Sequence, residues 1–238
     1  IKDKKLKKGS KQESNKLENI FFEIPDSWEF PDLDDITQFV TDGTHQTPKY
    51  TKQGRIFLSA QNVKPFNFMP ENHKFVSEED YINYIKNKNP EKGDLLVGRV
   101  GSKGEAALID RDIEFAFYVS LCLVKTFKTE TSPEFLEIVM NSPYGNAYAS
   151  GNMSSLGSSA GNFNLGRIRS FPIPFPPIAE QLAIVAKVKS LFALCEQIEA
   201  KINSNENNAE QLMQAVLKEA FTQSDSPLTA SIKEATYA

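Results

Sequence analysis

The sequence has few of the residues on which metal centres and disulfides depend. Of its 238 residues, two are cysteines, two are histidines and one is tryptophan. His45 and His73 lie far apart, with no Cys, Asp or Glu cluster at ligand spacing, so we expect no metal site. Cys122 and Cys195 each lie in an apolar stretch and are predicted to be small buried side chains in a reducing compartment.

Long apolar runs and an excess of positive charge are also missing. No apolar run approaches the ~18 residues of a membrane span, and the lysine-rich first residues lack the apolar core of a signal peptide. We therefore expect a cytoplasmic protein with no membrane partner. The chain carries 27 Lys and Arg against 31 Asp and Glu, so nucleic acid could bind only through a local patch.

The longest pattern that is present is an apolar 4-3 repeat near the C-terminus. A heptad sustained this far predicts a long helix, here from Ile178 to Thr222, whose seam packs against another long helix. The Asn-rich residues 203–208 could instead form a loop between two helices, but the seam phase is preserved across them. We call these positions the seam: Ile184, Val188, Leu191, Cys195, Ile198, Ile202, Asn205, Ala209, Leu212 and Val216. The chain has no second such helix, so its partner is expected elsewhere.

The rest of the chain predicts an α+β fold with a mixed or antiparallel sheet, followed by this coiled-coil-forming helix. Ser77 and Ser132 are typical caps that begin helices, and residues 101–104 predict a hairpin turn. The predicted regions are a polar linker (1–22), a globular domain (23–175), the long helix (176–223) and a flexible tail (224–238). Strand-like runs are Ile56 to Ala60, Asp94 to Val100, Glu105 to Ile109 and Phe115 to Lys125.

Motifs that suggest catalysis are incomplete. Asn141-Ser-Pro-Tyr144 resembles the Asn-Pro-Pro-Tyr loop of amino-methyltransferases, but no glycine-rich cofactor turn precedes it. A helix that ends at Asn141 and turns at Pro143 is the simpler interpretation. Residues 151–159 lack the lysine of a phosphate-binding loop, and no serine lies in a nucleophile elbow. We therefore expect a protein without a catalytic site.

Several segments together resemble the specificity subunits of Type I restriction-modification systems. The segment Ile24-Pro-Asp-Ser-Trp28 resembles the entry to a target recognition domain, and residues 42–48 with 54–57 resemble its early part. Residues 93–102 (GDLLVGRVGS) match the "GDIL" strand and turn of that family. Residues 163–165 and 171–181 match the exit into its conserved helix. The resemblance covers residues 20–222 and rests on the order and spacing of these segments.

The resemblance implies a DNA-reading protein that performs no chemistry. Family members carry two recognition domains, each reading half of a bipartite target in double-stranded DNA, and two conserved helices that pack antiparallel as a spacer. Methyltransferase subunits, which bring S-adenosylmethionine, and a motor-nuclease subunit are the implied partners. With one domain and one helix, this chain is expected to pair with a second half or to form a homodimer. Its start at Ile1 favours the second half of a longer subunit.

Base-reading residues cannot be carried over, because recognition domains of the family differ greatly. Our candidates rest on chemistry: Gln and Asn suit adenine, Arg suits guanine, and Ser and Lys suit phosphates. They lie in an early loop (residues 42–50), a hairpin (99–103) and a Gly/Ser loop (151–164). The candidates are Thr44, His45, Gln46, Lys49, Tyr50, Arg99, Ser102, Lys103, Ser158, Ser159 and Asn162. A solvated turn and ordinary surface charges are the alternative interpretations of the first two segments.

Two other functions fit the sequence. A coiled-coil adaptor with a protein-binding head explains the seam and the acidic balance equally well. An autonomous methyltransferase would have to bind S-adenosylmethionine by itself. DNA affinity across a salt series separates the first from a DNA reader.

Overall fold

The computed structural model describes residues 25–154 and 161–223. The predicted linker (1–22) and tail (224–238) lie outside the described residues, so both remain predictions. The chain divides into two compact units, Ile1–Val185 and Ala186–Ala238. The first contains every strand of the described residues, and the described part of the second is the greater part of one long helix.

The strands of the described residues are β1 (Thr37–Asp42), β2 (Arg55–Leu58), β3 (Val63–Lys64), β4 (Asn67–Phe68), β5 (Lys74–Val76), β6 (Leu95–Gly98), β7 (Ala106–Leu108), β8 (Phe115–Phe117), β9 (Leu121–Thr126), β10 (Met153–Ser154) and β11 (Asn162–Phe163). The centre of the first unit is an antiparallel four-stranded sheet of order β1-β9-β6-β7. A mixed three-stranded sheet of order β5-β2-β8 lies beside it, with β2 antiparallel to β5 and parallel to β8. The remaining strands form two short pairs, β3-β4 and β10-β11.

Both faces of the four-stranded sheet are buried, which explains the almost wholly apolar sequence of β9. Because side chains alternate across a strand, Cys122 and Val124 enter one core, and Leu121 and Leu123 enter another. The first core is closed by helices, and the second lies between the two sheets. A third, smaller core packs the other face of the three-stranded sheet against the first helix.

The described residues form five α-helices, and the first four of them begin at a residue whose side chain caps the helix. They are α1 (Glu78–Ile85), α2 (Pro133–Asn141), α3 (Pro143–Gly151), α4 (Leu165–Arg169) and α5 (Ile178–Gln223). The hydroxyl groups of Ser77, Ser132 and Ser142 accept hydrogen bonds from the backbone N–H three residues further on. Both predicted helix starts are therefore confirmed. The predicted end at Asn141 is also confirmed, and Pro143 begins a further helix instead of a simple turn.

The first turn of α5 is held to the globular unit by the fully buried side chain of Gln181. Its Oε1 accepts a hydrogen bond from the Ser132 N–H at 2.9 Å, and its Nε2 donates to the carbonyl groups of Glu130 and Pro176. The helix then continues without a break through residues 203–208. The prediction of one long helix is confirmed, and the alternative loop is wrong.

Two other expectations need correction, and one strand was not predicted. The run from Phe115 to Lys125 forms two strands in different sheets, separated by a turn in which the Leu121 N–H donates to the Tyr118 carbonyl. Cys122 is buried as predicted, but Cys195 is exposed. Strand β1 was not predicted, because its residues TQFVTD show little apolar alternation. The α+β class with a mixed sheet is confirmed.

Candidate nucleic-acid interface

The early loop leaves β1 at Asp42 and runs beside the turn between β8 and β9. The Thr44 N–H donates to the Phe117 carbonyl, and the Val119 N–H donates back to the Thr44 carbonyl. Thr44 is buried, and its hydroxyl accepts from the Gln46 N–H at 3.2 Å. Thr44 is therefore not exposed as its polar loop suggested, and its hydroxyl shapes the loop; contact between Thr44 and DNA stays a prediction.

The other four candidates in this loop are exposed: His45, Gln46, Lys49 and Tyr50. His45 Nε2 lies 3.0 Å from Asp42 Oδ2, which directs the imidazole along the loop. The Tyr50 ring is 56 % exposed and packs edge-on against the Phe57 ring. An imidazole, an amide, an ammonium and a phenol are thus available on one short segment for contact with base edges or phosphates.

Arg99 is buried, contrary to the expectation of a surface cation. Its side chain is 7 % exposed, and Nη1 lies 2.5 Å from Asp42 Oδ2. Nη1 also donates to the Val119 carbonyl at 3.1 Å, and Nε donates to the Phe163 carbonyl at 3.3 Å. A guanidinium satisfied in this way has little capacity left for guanine, so direct base reading by Arg99 is not supported.

The hairpin after β6 presents one candidate to solvent and buries the other. Lys103 is exposed. Ser102 is buried, and its hydroxyl accepts from the Glu105 N–H at 3.2 Å, so the structure offers no exposed Ser102 hydroxyl in support of the predicted phosphate contact. Gly104 has a φ of +77°, and a Cβ there would lie 2.8 Å from the Ala149 Cβ. The hairpin therefore packs closely on α3, with Lys103 projecting from it.

The third segment meets the hairpin through backbone contacts. Asn162 forms a bridge with Val100, and the Phe163 N–H donates to the Arg99 carbonyl at 2.8 Å. Asn162 is only partly accessible, and its Oδ1 is buried without a hydrogen-bond partner among the described residues. Ser158 and Ser159 lie outside the described residues. The structure thus brings the hairpin and the described end of the Gly/Ser loop together.

Asp42 connects the early loop to the hairpin. It was not among the candidates predicted from the sequence. Asp42 binds both Arg99 and His45 through Oδ2, and its carbonyl accepts from Lys88 Nζ at 2.9 Å. Burial lowers the pKa of the Lys88 ammonium, and the Asp42 charge opposes that shift. The only sequence signal for Asp42 was its position at the start of a polar loop.

The seam is largely exposed along the second unit. Ile184 is half-buried against the first core, and Val188 is also half-buried. The remaining seam positions, Asn205 included, are exposed, with Ile202 at 50 % and Leu212 at 66 %. Further exposed apolar residues outside the seam are Phe192, Leu194, Met213, Leu217 and Phe221. A helix with this much exposed apolar surface is typical of one that packs against a partner.

The described residues contain no group of three or more His, Cys, Asp or Glu side chains that could hold a metal ion. Among those residues, no helix combines the length and the hydropathy that a membrane span requires. A cavity of about 410 Å³ is lined by apolar groups that include Trp28, Phe135 and Ile184.

The chain matches the family model described as the Type I restriction modification DNA specificity domain over residues 25–205. It therefore belongs to this family. Residues matched by this specificity-domain model include all three candidate segments and the first half of α5. The resemblance suggested by the sequence motifs is thereby confirmed.

Curated relatives carry the same family name. The chain is 26% identical over 208 residues to the Type I restriction enzyme EcoBI specificity subunit of Escherichia coli, covering 86% of this chain and 43% of that protein. It is 31% identical over 140 residues to the StySPI specificity subunit of Salmonella potsdam, covering 55% and 29%. The chain thus spans less than half the length of the specificity subunits that it matches.

Solved structures show the same fold. A chain from a structure described as the basis of complex assembly and conformational transition of the type I R-M system matches with a TM-score of 0.58 and 17% identity, over 84% of this chain and 50% of that one. The HsdS subunit from Thermoanaerobacter tengcongensis matches with a TM-score of 0.56 and 17% identity, over 83% and 50%. A globular α+β unit followed by a long helix is therefore a fold that specificity subunits share.

Proposed function

We propose that this chain is a sequence-specific DNA-recognition subunit, or half-subunit, of a Type I restriction-modification complex. The observation that carries the proposal is the family match, which extends through the globular unit into the long helix. The globular unit would read one half of a bipartite target. Exposed side chains of the early loop and the hairpin, Lys49 and Lys103 among them, support a local DNA-binding patch on a chain with net charge −4.

The exposed apolar seam of the long helix supports a further part of the proposal, which concerns how two recognition units are paired. Seam residues that are exposed in the single chain would be covered by a matching helix, from a second recognition half or from a second copy of this chain. We propose that the paired helices set the spacing of two DNA-reading units and dock the methyltransferase subunits. The motor-nuclease subunit would join that complex for restriction.

We also propose that the chain itself performs no catalysis and that S-adenosylmethionine binds on the methyltransferase subunit. The name "specificity subunit" borne by its relatives supports this division of roles. The cavity lined by Trp28, Phe135 and Ile184 is apolar and offers no charged side chain to the ammonium and carboxylate groups of that cofactor. A DNA-reading role implies a cytoplasmic location, where such complexes meet DNA.

Gel-shift titration of the full chain with duplex DNA across a salt series tests the proposal. A DNA reader releases counterions on binding, so its affinity should fall steeply as salt rises, with a log–log slope of about −0.9 per phosphate contact. A coiled-coil adaptor with a protein-binding head would show no affinity to lose. Calorimetric binding of S-adenosylmethionine to the chain alone would contradict the proposed division of roles.

A further inference from the structure

One buried side chain joins the three segments in which the DNA-reading candidates lie. Arg99 follows β6 directly and begins the hairpin that carries Lys103. Its guanidinium reaches Asp42, where the early loop begins, and the Phe163 carbonyl, where the Gly/Ser loop ends. Its backbone also takes part, because the Arg99 N–H donates to the Ser120 carbonyl at 2.8 Å and its carbonyl accepts from Phe163.

These contacts are selective for arginine. The planar guanidinium offers donors in fixed directions, and here they satisfy a carboxylate and two carbonyl groups that lie on separate segments. A lysine ammonium would keep the charge beside Asp42, but it could not reproduce the same arrangement of donors. The partly buried Asp42 in turn holds His45, so the geometry set by Arg99 reaches an exposed candidate of the early loop.

We propose that Arg99 and Asp42 are positioning residues for DNA specificity: the buried pair fixes the early loop, the hairpin and the end of the Gly/Ser loop in one arrangement for reading bases. The inference rests on the proposed function and deepens it. Arg99 touches no DNA in this account. It acts through His45, Lys103 and their neighbours, whose mutual positions decide which bases are matched.

A positioning residue and a residue that contacts a base directly differ in their effect on sequence preference. An arginine that reads a guanine controls the preference at one base pair, and its loss relaxes that position alone. A residue that positions several loops controls preference at several base pairs at once. Because the charge is already neutralised by Asp42, Arg99 contributes little to the attraction of phosphates.

The test uses the full chain and a library of randomised duplexes, from which the bound fraction is sequenced. The variants are Arg99→Lys and Asp42→Asn, with Arg111→Lys as the matched control. Arg111 is an exposed arginine that pairs with Asp110 and Glu71, neither of which belongs to the three segments. Unfolding of each variant in urea is measured alongside, and affinity for the selected duplex and for bulk duplex DNA is measured at fixed salt.

For Arg99→Lys we expect affinity for bulk DNA within about twofold of the unsubstituted chain, because the charge is retained. The ratio of selected to bulk affinity should fall by about tenfold or more, with preference weakened at several base pairs. Asp42→Asn should weaken the same base pairs, and Arg111→Lys should leave the selected motif unchanged.

Three results would overturn the inference. Loss of preference at a single base pair would make Arg99 a direct reader. Equal losses of selected and bulk affinity, in step with the unfolded fraction, would make the pair purely structural, and so would the failure of both variants to fold. Separately, if the unsubstituted chain selects no motif, the proposed function itself fails.

Discussion

Gly43 lets the backbone of the early loop pass directly against the turn between β8 and β9. A Cβ at this position would lie 2.2 Å from the Phe117 carbonyl oxygen and 2.4 Å from two backbone atoms of Tyr118. None of these atoms belongs to a flexible side chain. The glycine is therefore required for close approach, and the approach fixes the start of the segment that carries His45 and Gln46.

Gly43→Ala should consequently destabilise the chain by about 1–3 kcal/mol, the usual cost of forcing extra atoms into packed structure. Urea denaturation followed by circular dichroism measures the change. Gly151→Ala is the matched control, because a Cβ at Gly151, at the end of α3, meets nothing within 4 Å. Alanine is also the better helix former, so this variant should be neutral or slightly more stable. Equal stability of the two variants would contradict the packing argument.

The contacts of individual side chains were the least predictable feature of the sequence. The partners of Arg99 lie 57, 20 and 64 residues away, so no local pattern could indicate that its guanidinium is buried. The burial of Thr44 and Ser102 was equally hard to predict, since their hydroxyl groups accept hydrogen bonds from nearby backbone N–H groups. Polar side chains in a turn can stabilise that turn through hydrogen bonds to its own backbone. Amino-acid composition does not distinguish this role from ligand binding.

Helices and strands were more predictable than side-chain contacts, because hydrophobic periodicity and helix caps are local features of the sequence. The seam phase identified α5 through its Asn-rich middle, and serine caps marked α1 and α2. The run from Phe115 to Lys125 was not divided correctly, since its turn at residues 118–120 contains neither Gly nor Pro. Its apolar sequence reflects burial on both faces of the sheet. Because both strands are apolar, the sequence does not show where the first ends and the second begins.

Cys195 provides a direct probe of helix pairing, because it is an exposed seam residue. At low protein concentration its thiol should react readily with a thiol-specific reagent. If α5 pairs through the seam, reaction of Cys195 should slow as the chain associates, in parallel with the dimer fraction from sedimentation. Cys122 is the internal control, since burial raises the pKa of its thiol to about 12 and should keep it unreactive until unfolding. Association without protection of Cys195 would show that another surface pairs.

Asn205 is the polar member of the seam and is exposed in the single chain. A buried Asn in a coiled coil commonly fixes register at a cost in stability. Asn205→Leu should therefore strengthen helix pairing, by up to about 1.5–3 kcal/mol for each leucine that becomes buried. It should also loosen alignment, which disulfide cross-linking of cysteines introduced along α5 would detect as several registers. A more stable pair that keeps a single register would argue against a register-setting role for Asn205.

The proposed function requires both the seam and the globular unit of this chain. The chain covers 43% of the EcoBI specificity subunit and 50% of the solved chains with the same fold, and its described residues form one globular unit and one long helix. An acidic chain of this kind can bind DNA only through a confined surface. The exposed candidates of the early loop and the hairpin offer such a surface, and Arg99 and Asp42 hold its parts together.

If the proposed function is correct, the chain distinguishes one DNA sequence from another. Titration of the full chain with its library-selected duplex, and with the same duplex after its enriched bases have been scrambled, measures this discrimination at one fixed salt concentration. Scrambling should weaken binding by about tenfold or more, because each mismatched base pair costs roughly 1–3 kcal/mol. Equal affinity for the two duplexes, or no binding to either, would show that the chain does not read DNA sequence.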